Sequence, residues 1–112
     1  MYEYKAEVLR WIDGDTLLVE VDLGFYVKKV EKVRLARIDA PEMDSEVAYQ
    51  IRKAKSARSK AKKFCPEGAM ITLKTEKAER DRYARYIGEV FCDGKNLSDY
   101  LLELGVVKEY GR

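Results

Sequence analysis

Two aspartates flank a single glycine in Ile12-Asp13-Gly14-Asp15-Thr16, just before an apolar run. The ordinary reading is an Asp-Gly turn with solvated carboxylates. The chemical reading is a pair of hard oxygen donors waiting for a cation. A second acidic pair, Asp39 and Glu42, brackets Ala40-Pro41 at the end of a segment that also carries Arg34 and Arg37. Strict alternation sends Arg34 and Asp39 to opposite faces of a strand. They share a site only if the strand ends or bulges near Ile38, which the following proline favours. Edge-strand charges with an ordinary turn explain the segment equally well. A third stretch, Asp81-Arg82-Tyr83-Ala84-Arg85-Tyr86, sets two arginines and two tyrosines at a loop-to-strand junction. A solvated loop accounts for it alone. With Arg34 added it reads as a phosphate clamp, because guanidinium forks match phosphate oxygens two at a time.

What the chain lacks narrows the chemistry. It has no histidine, so base–nucleophile pairs built on imidazole are excluded. Its two cysteines, Cys65 and Cys92, fall short of the four ligands of a structural zinc site and are expected as buried thiols, a single bridge being the other option. Hydrolysis here must run on carboxylates, arginines and a hard metal ion. An EF-hand does not fit: counting from Asp13, Leu18 stands where glycine belongs and Gly24 where the bidentate glutamate belongs. Charged residues make up 38% of the chain against about 25% in average domains, a bias shared with hyperthermophile proteins. No apolar run approaches the ~20 residues of a membrane span, and Met1-Tyr2-Glu3-Tyr4-Lys5 is unlike a secretory signal. The expectation is a soluble chain without a membrane partner, cytoplasmic or already processed from a secreted form.

The elements that must position these residues follow from periodicity. The 112 residues suffice for one domain with one modest core. Strands are expected over Tyr2 to Arg10, Thr16 to Val21, Val27 to Ile38, Met70 to Lys74 and Tyr83 to Cys92, with a charged loop from Glu76 to Arg82. From about Ser45 to Phe64 the apolar residues Val47, Ile51, Ala54, Ala57, Ala61 and Phe64 recur at helical spacing, with Ser45 as cap and Pro66-Gly68 as stop. A second helix opens at Asn96 or Ser98 and ends at Gly105, and a short segment from Val106 to Tyr110 closes the chain. This order is not alternating βαβ. It predicts an OB-fold, a five-stranded, mostly antiparallel barrel with two or three helices packed outside.

Taken together, the three motifs resemble the staphylococcal nuclease-like, or thermonuclease, domain. The matching stretches are Ile12 to Thr16, Arg34 through Asp39-Ala40-Pro41-Glu42, and Asp81-Arg82-Tyr83-Ala84-Arg85, with Asp93-Gly94-Lys95 and Leu102-Glu103-Leu104-Gly105 following in order. The resemblance implies Ca²⁺-dependent cleavage of DNA and RNA at the bond to the 5′ oxygen, leaving 3′-phosphates, with little sequence specificity. It implies Asp15 and Asp39 as calcium carboxylates, the Ala40 carbonyl as a third ligand and Asp13 as outer support. Glu42 matches the general base, and Arg34 and Arg85 match the pair that grips the scissile phosphate. Arg82 and Tyr83 fall among substrate-binding positions, and Tyr110 approximates a nucleotide-stacking tyrosine, offset by a residue. Ala84 departs from the family's usual glycine, and the stretch between Glu42 and Phe64 diverges from its lysine-rich loop.

The first helix carries Arg52, Lys53, Lys55, Arg58, Lys60, Lys62 and Lys63 with no acid among them, although the whole chain is only +2. A solvated face explains the run, and so does attraction for nucleic acid. Three readings remain at this point: a calcium-dependent nuclease acting as a monomer on DNA or RNA, a nonenzymatic OB-type binding module, and a regulatory calcium binder. The intact set Asp15, Arg34, Asp39, Glu42 and Arg85 favours the first.

Overall fold

A computed structural model describes residues 2–41, 43, 46–75 and 85–109. Two long strands start the fold, β1 (Tyr2–Asp13) and β2 (Thr16–Asp22), followed by β3 (Lys28–Leu35) and a two-residue β4 (Ile38–Asp39). Helix α1 (Ala48–Phe64) crosses to β5 (Met70–Thr75). The chain then forms β6 (Arg85–Cys92), a short β7 (Lys95–Asn96), helix α2 (Leu97–Leu104) and a closing β8 (Lys108–Glu109).

The strands pair in the order β3-β2-β1-β5-β6, and β3 joins β6 to close the barrel. Every contact around the barrel is antiparallel except β3 with β6, which is parallel. The expected five-stranded, mostly antiparallel barrel with two helices is therefore what the chain forms. Alternation fills its interior: Val8, Leu17, Val19, Val33, Leu35 and Val90 are completely buried, while their strand neighbours, Thr16 excepted, are partly or fully exposed. Closure brings β6 between β3 and β5 at Gly88, where a Cβ would lie 2.9 Å from both Leu73 Cδ1 and the Lys74 carbonyl oxygen.

Helix α1 packs its small residues Ala54, Ala57 and Ala61 against the barrel. Small side chains let its backbone approach the β1–β2 turn closely, and the indole N–H of Trp11 on β1 bonds the Cys65 carbonyl at 2.8 Å just past the helix end. Helix α2 is capped as its sequence demands. Asn96 accepts the N–H of Asp99, and Gly105 ends the helix in the left-handed region. Cys65 and Cys92 are both buried and both reduced.

Three boundaries differ from the sequence reading by three residues each. The strand expected from Val27 to Ile38 breaks after Leu35, because Ala36-Arg37 turns with Arg37 at φ 71° before β4 resumes. The break therefore comes ahead of Ile38, set by a left-handed residue rather than by Pro41. Helix α1 begins at Ala48 with Val47 as an N-cap that supplies no side-chain bond, in place of a start at Ser45, which lies outside the described residues. The first strand runs on through Asp13, so that aspartate ends a strand instead of sitting in a free loop. Among the described residues, no helix is long and apolar enough to cross a membrane.

Candidate functional site

The β1–β2 turn places Asp15 beneath the end of β3. Its main-chain carbonyl accepts the N–H of Leu35 at 2.7 Å, which fixes the turn against that strand. The residue is 6% exposed, and its carboxylate is well supplied with donors: Oδ1 takes the Thr16 hydroxyl at 2.9 Å and Oδ2 takes the Ala40 N–H at 3.0 Å. Each carboxylate oxygen has a second lone-pair direction, so both keep acceptor capacity.

Gly14 sits inside this turn for a steric reason. Its backbone has no positive φ, yet a Cβ there would lie 2.8 Å from the Ala57 Cβ and 3.1 Å from the Ala40 Cβ. Only glycine lets α1 and the segment after β4 both press on the Asp13–Asp15 turn. What reads in sequence as a turn signal is a packing requirement.

Arg34 leaves the outer face of β3 and folds across the β3–β4 turn. Its Nη1 donates to the carbonyls of Ile38 at 2.9 Å and Leu35 at 3.2 Å. Its Nη2 donates to Asp39 Oδ1 at 3.0 Å and lies 3.5 Å from Asp15 Oδ2. One guanidinium nitrogen thus sits between the two carboxylates, and the distances of 3.0 and 3.5 Å hold their oxygens within about 6.5 Å of each other. The arginine side chain is 11% exposed, while that of Asp39 is 55% exposed and opens to solvent. Among the described residues, that one guanidinium faces two carboxylates.

Arg37 holds the turn that makes this possible. Its Nε and Nη2 grip both oxygens of Glu89 on β6 at 2.6 and 3.1 Å, and Nη2 also reaches Asp99 Oδ1 on α2 at 2.9 Å and the Oδ1 of the helix cap Asn96 at 3.3 Å. The Glu89 hydrogen bonds, reinforced by Asp99, push its pKa further above the ordinary arginine value, so its charge is permanent. The Ser98 hydroxyl donates to the Ala36 carbonyl at 2.9 Å from the same helix. On the other side Asp39 pairs with Lys108 in the β4–β8 ladder. Sequence reading missed this network. Arg37 and Glu89 stand 52 residues apart, and no local pattern announces their pairing.

Of the residues singled out in the sequence, Asp15, Arg34, Asp39 and Ala40 meet at one place. Asp13 joins them through the next segment, its Oδ1 accepting the Met43 N–H at 3.1 Å. Arg85 opens β6 directly opposite Lys32 on β3, and Arg34 lies opposite Ile87. Paired residues of adjacent strands share a face, so Arg85 and Arg34 lie on the same outer face of the barrel, one two-residue step of about 6.6 Å apart along the strands. Glu42, Arg82, Tyr83, Ala84 and Tyr110 lie outside the described residues. Beside Asp39 a groove of about 550 Å³ opens between α1 and the Gly105–Lys108 segment, with Lys53 and Lys108 on its walls.

The donor set suits a hard cation: two carboxylates within about 6.5 Å compare with the ~5 Å that oxygens span across a Ca²⁺ ion. Among the described residues no group of three or more acidic or thiol side chains surrounds a common point, so main-chain, water or substrate oxygens must complete any coordination.

The chain is thus a closed barrel with an acid–arginine cluster on its β3–β4 edge. The model of the staphylococcal nuclease homologue family matches residues 32–111. The chain belongs to that family. It is 31% identical over 114 residues to endonuclease YhcR of Bacillus subtilis, covering 96% of this chain and 9% of that protein. It is 30% identical over 109 residues to an uncharacterized endonuclease of Escherichia coli O157:H7 (96% of this chain, 62% of that one). To endonuclease YncB of Bacillus subtilis it is 30% identical over 100 residues, which cover 88% of this chain and 44% of the relative. The chain therefore spans between a tenth and three fifths of the length of these relatives.

Proposed function

We propose that this chain is a nuclease, a Ca²⁺-dependent phosphodiesterase that hydrolyses DNA or RNA with little sequence preference at the bond to the 5′ oxygen, acting as a single domain and a monomer. Family membership and the endonuclease names of its relatives support the class. The observation that carries the finer reading is Arg34 Nη2 shared between Asp15 and Asp39. Asp15 and Asp39, now sharing one guanidinium nitrogen, would hold a cation between them, and Arg34 would then be available to a phosphate oxygen.

In this reading Asp15, Asp39 and the Ala40 carbonyl hold the ion, with Asp13 supporting them through the segment after Pro41. The ion, when bound, supplies polarisation of the phosphoryl group and orientation of the attacking water. Arg34 turns Nη2 to a phosphate oxygen, keeping Nη1 on the Ile38 carbonyl as its pivot. Arg85, on the same outer face, meets the charge that develops on the phosphoryl oxygens. Guanidinium is too weak an acid to give up a proton, so its contribution is electrostatic. Glu42 takes the proton of the attacking water as its oxygen bonds phosphorus, and the departing 5′ oxygen takes a proton from solvent water. Arg82 and Tyr83 bind substrate phosphate, and Tyr110 stacks on a base.

Incubating single-stranded DNA with the protein in Ca²⁺ or in chelator tests this. Cleavage to 3′-phosphate ends in Ca²⁺ alone is expected. Binding without cleavage in either condition would overturn it and leave a nonenzymatic binding module.

A further inference from the structure

Far from the acid–arginine cluster, at the other end of β2 and β3, the hairpin Leu23-Gly24-Phe25-Tyr26-Val27 carries two aromatic rings with no cover. Phe25 is 98% exposed and Tyr26 101%. Both have positive φ, 55° and 65°, and the Val27 N–H bonds the Gly24 carbonyl at 2.9 Å, which makes them the central pair of a type I′ turn. That turn prefers Asn-Gly, and bulky residues there are strained. The chain thus spends stability to present two rings to solvent.

The strand that leaves this tip explains what they face. Glu31, Val33 and Leu35 of β3 point into the barrel, so Lys28, Val30, Lys32 and Arg34 point out. No acid stands in that outward row, and Arg85 of β6 adjoins Lys32. The acids Glu20 and Asp22 border the row on the β2 side, opposite Val30 and Lys28. The positive path therefore runs along the β3–β6 side. Lys28 and Arg34 are six residue steps apart, about 20 Å of extended strand.

We propose that the Phe25–Tyr26 hairpin is a base-stacking platform for single-stranded nucleic acid, joined to the Arg34 site by Lys28 and Lys32, so that substrates of several nucleotides are held at both ends of the barrel. Aromatic faces accept any base, and lysines track a phosphate backbone without reading sequence. Charge complementarity, and continuity of the row with Arg34, select nucleic acid as the occupant. The cleavage consequence rests on the nuclease reading, whereas the binding does not.

The test uses Phe25→Asn/Tyr26→Gly, which gives the turn the residues it prefers while removing both rings. Binding of labelled 4- and 12-nucleotide oligothymidylates is followed by anisotropy in chelator, beside thermal melting. The variant is expected to melt higher than the wild type and to bind the 12-mer about tenfold more weakly, with the 4-mer affinity changed far less. Lys28→Gln/Lys32→Gln should reduce the salt slope of 12-mer binding by about 1.4. Equal 12-mer affinity in the Asn-Gly variant would overturn the proposal. So would a loss confined to self-association or to phosphatidylserine vesicles. Failure of Ca²⁺-dependent cleavage with these binding differences intact would sink the nuclease reading alone.

Discussion

Arg34 Nη2 lies 3.0 Å from Asp39 Oδ1 although strict alternation along an unbroken strand would send the two side chains to opposite faces. The left-handed Arg37 between them reverses the chain and removes that objection. The site exists because β3 stops where it does.

Replacing Arg34 by lysine keeps the charge and loses the geometry. An ammonium cannot bond the Ile38 carbonyl and hold a second, parallel donor for phosphate. Arg34→Lys should lower kcat by about 10²–10³-fold. Glu42→Gln should reduce kcat comparably with oligonucleotide affinity retained. Near-normal kcat in either variant, measured on a single-stranded substrate, would remove that residue from its assigned role.

The Gly14–Ala57 approach predicts a steric lesion. Gly14→Ala must push α1 or the Asp13–Asp15 turn by several tenths of an ångström, costing about 1–3 kcal/mol in urea unfolding. Activity should fall with stability, since the same turn carries Asp15. Wild-type stability would mean that the helix yields freely.

Much of this fold is legible in the sequence because burial imposes simple periods. Alternating Leu and Val mark β2, and Ala54, Ala57 and Ala61 mark the face of α1. The motif residues Asp15, Arg34 and Asp39 are legible as chemistry from their types and spacing. Their convergence follows in sequence from the family resemblance alone; local periodicity does not reach it, because a positive φ at an ordinary arginine and ion pairs to Glu89 and Asp99 from distant elements carry no local signature. Gly14 was legible as glycine but for the wrong reason. The exposed Phe25–Tyr26 tip breaks the rule that turns are polar, and hydrophobic patterning alone gave it no meaning.

Arg37→Ala should loosen the β3–β4 turn. Removing a partly exposed network of this kind costs about 1 kcal/mol, or roughly 4 °C in Tm. Because the turn positions Arg34 and Asp39, kcat should fall further than that loss of folded protein explains. Unchanged kcat at a temperature where the variant is fully folded would make Arg37 purely structural.

Burial, and then the hydrogen bond with Cys92, push the Cys65 thiol well above its ordinary value of 9.0. The native thiol holds its proton more tightly than the unfolded one. Its stabilisation is complete below pH 9 and is lost as the pH climbs toward the native value. Between pH 9 and 10.5 the wild type should lose stability faster than Cys65→Ala, by up to about 1.4 kcal/mol per pH unit. Parallel urea midpoints for the two proteins across that range would contradict it.

The central claim is that Asp15 and Asp39 yield Arg34 in exchange for a shared cation. Calorimetric titration of the wild type and of Asp15→Asn with Ca²⁺ alone measures this without reference to catalysis. One ion per wild-type chain, bound at least about tenfold more tightly than by Asp15→Asn, is the predicted result. Equal affinity in both, or no binding to the wild type, would contradict it.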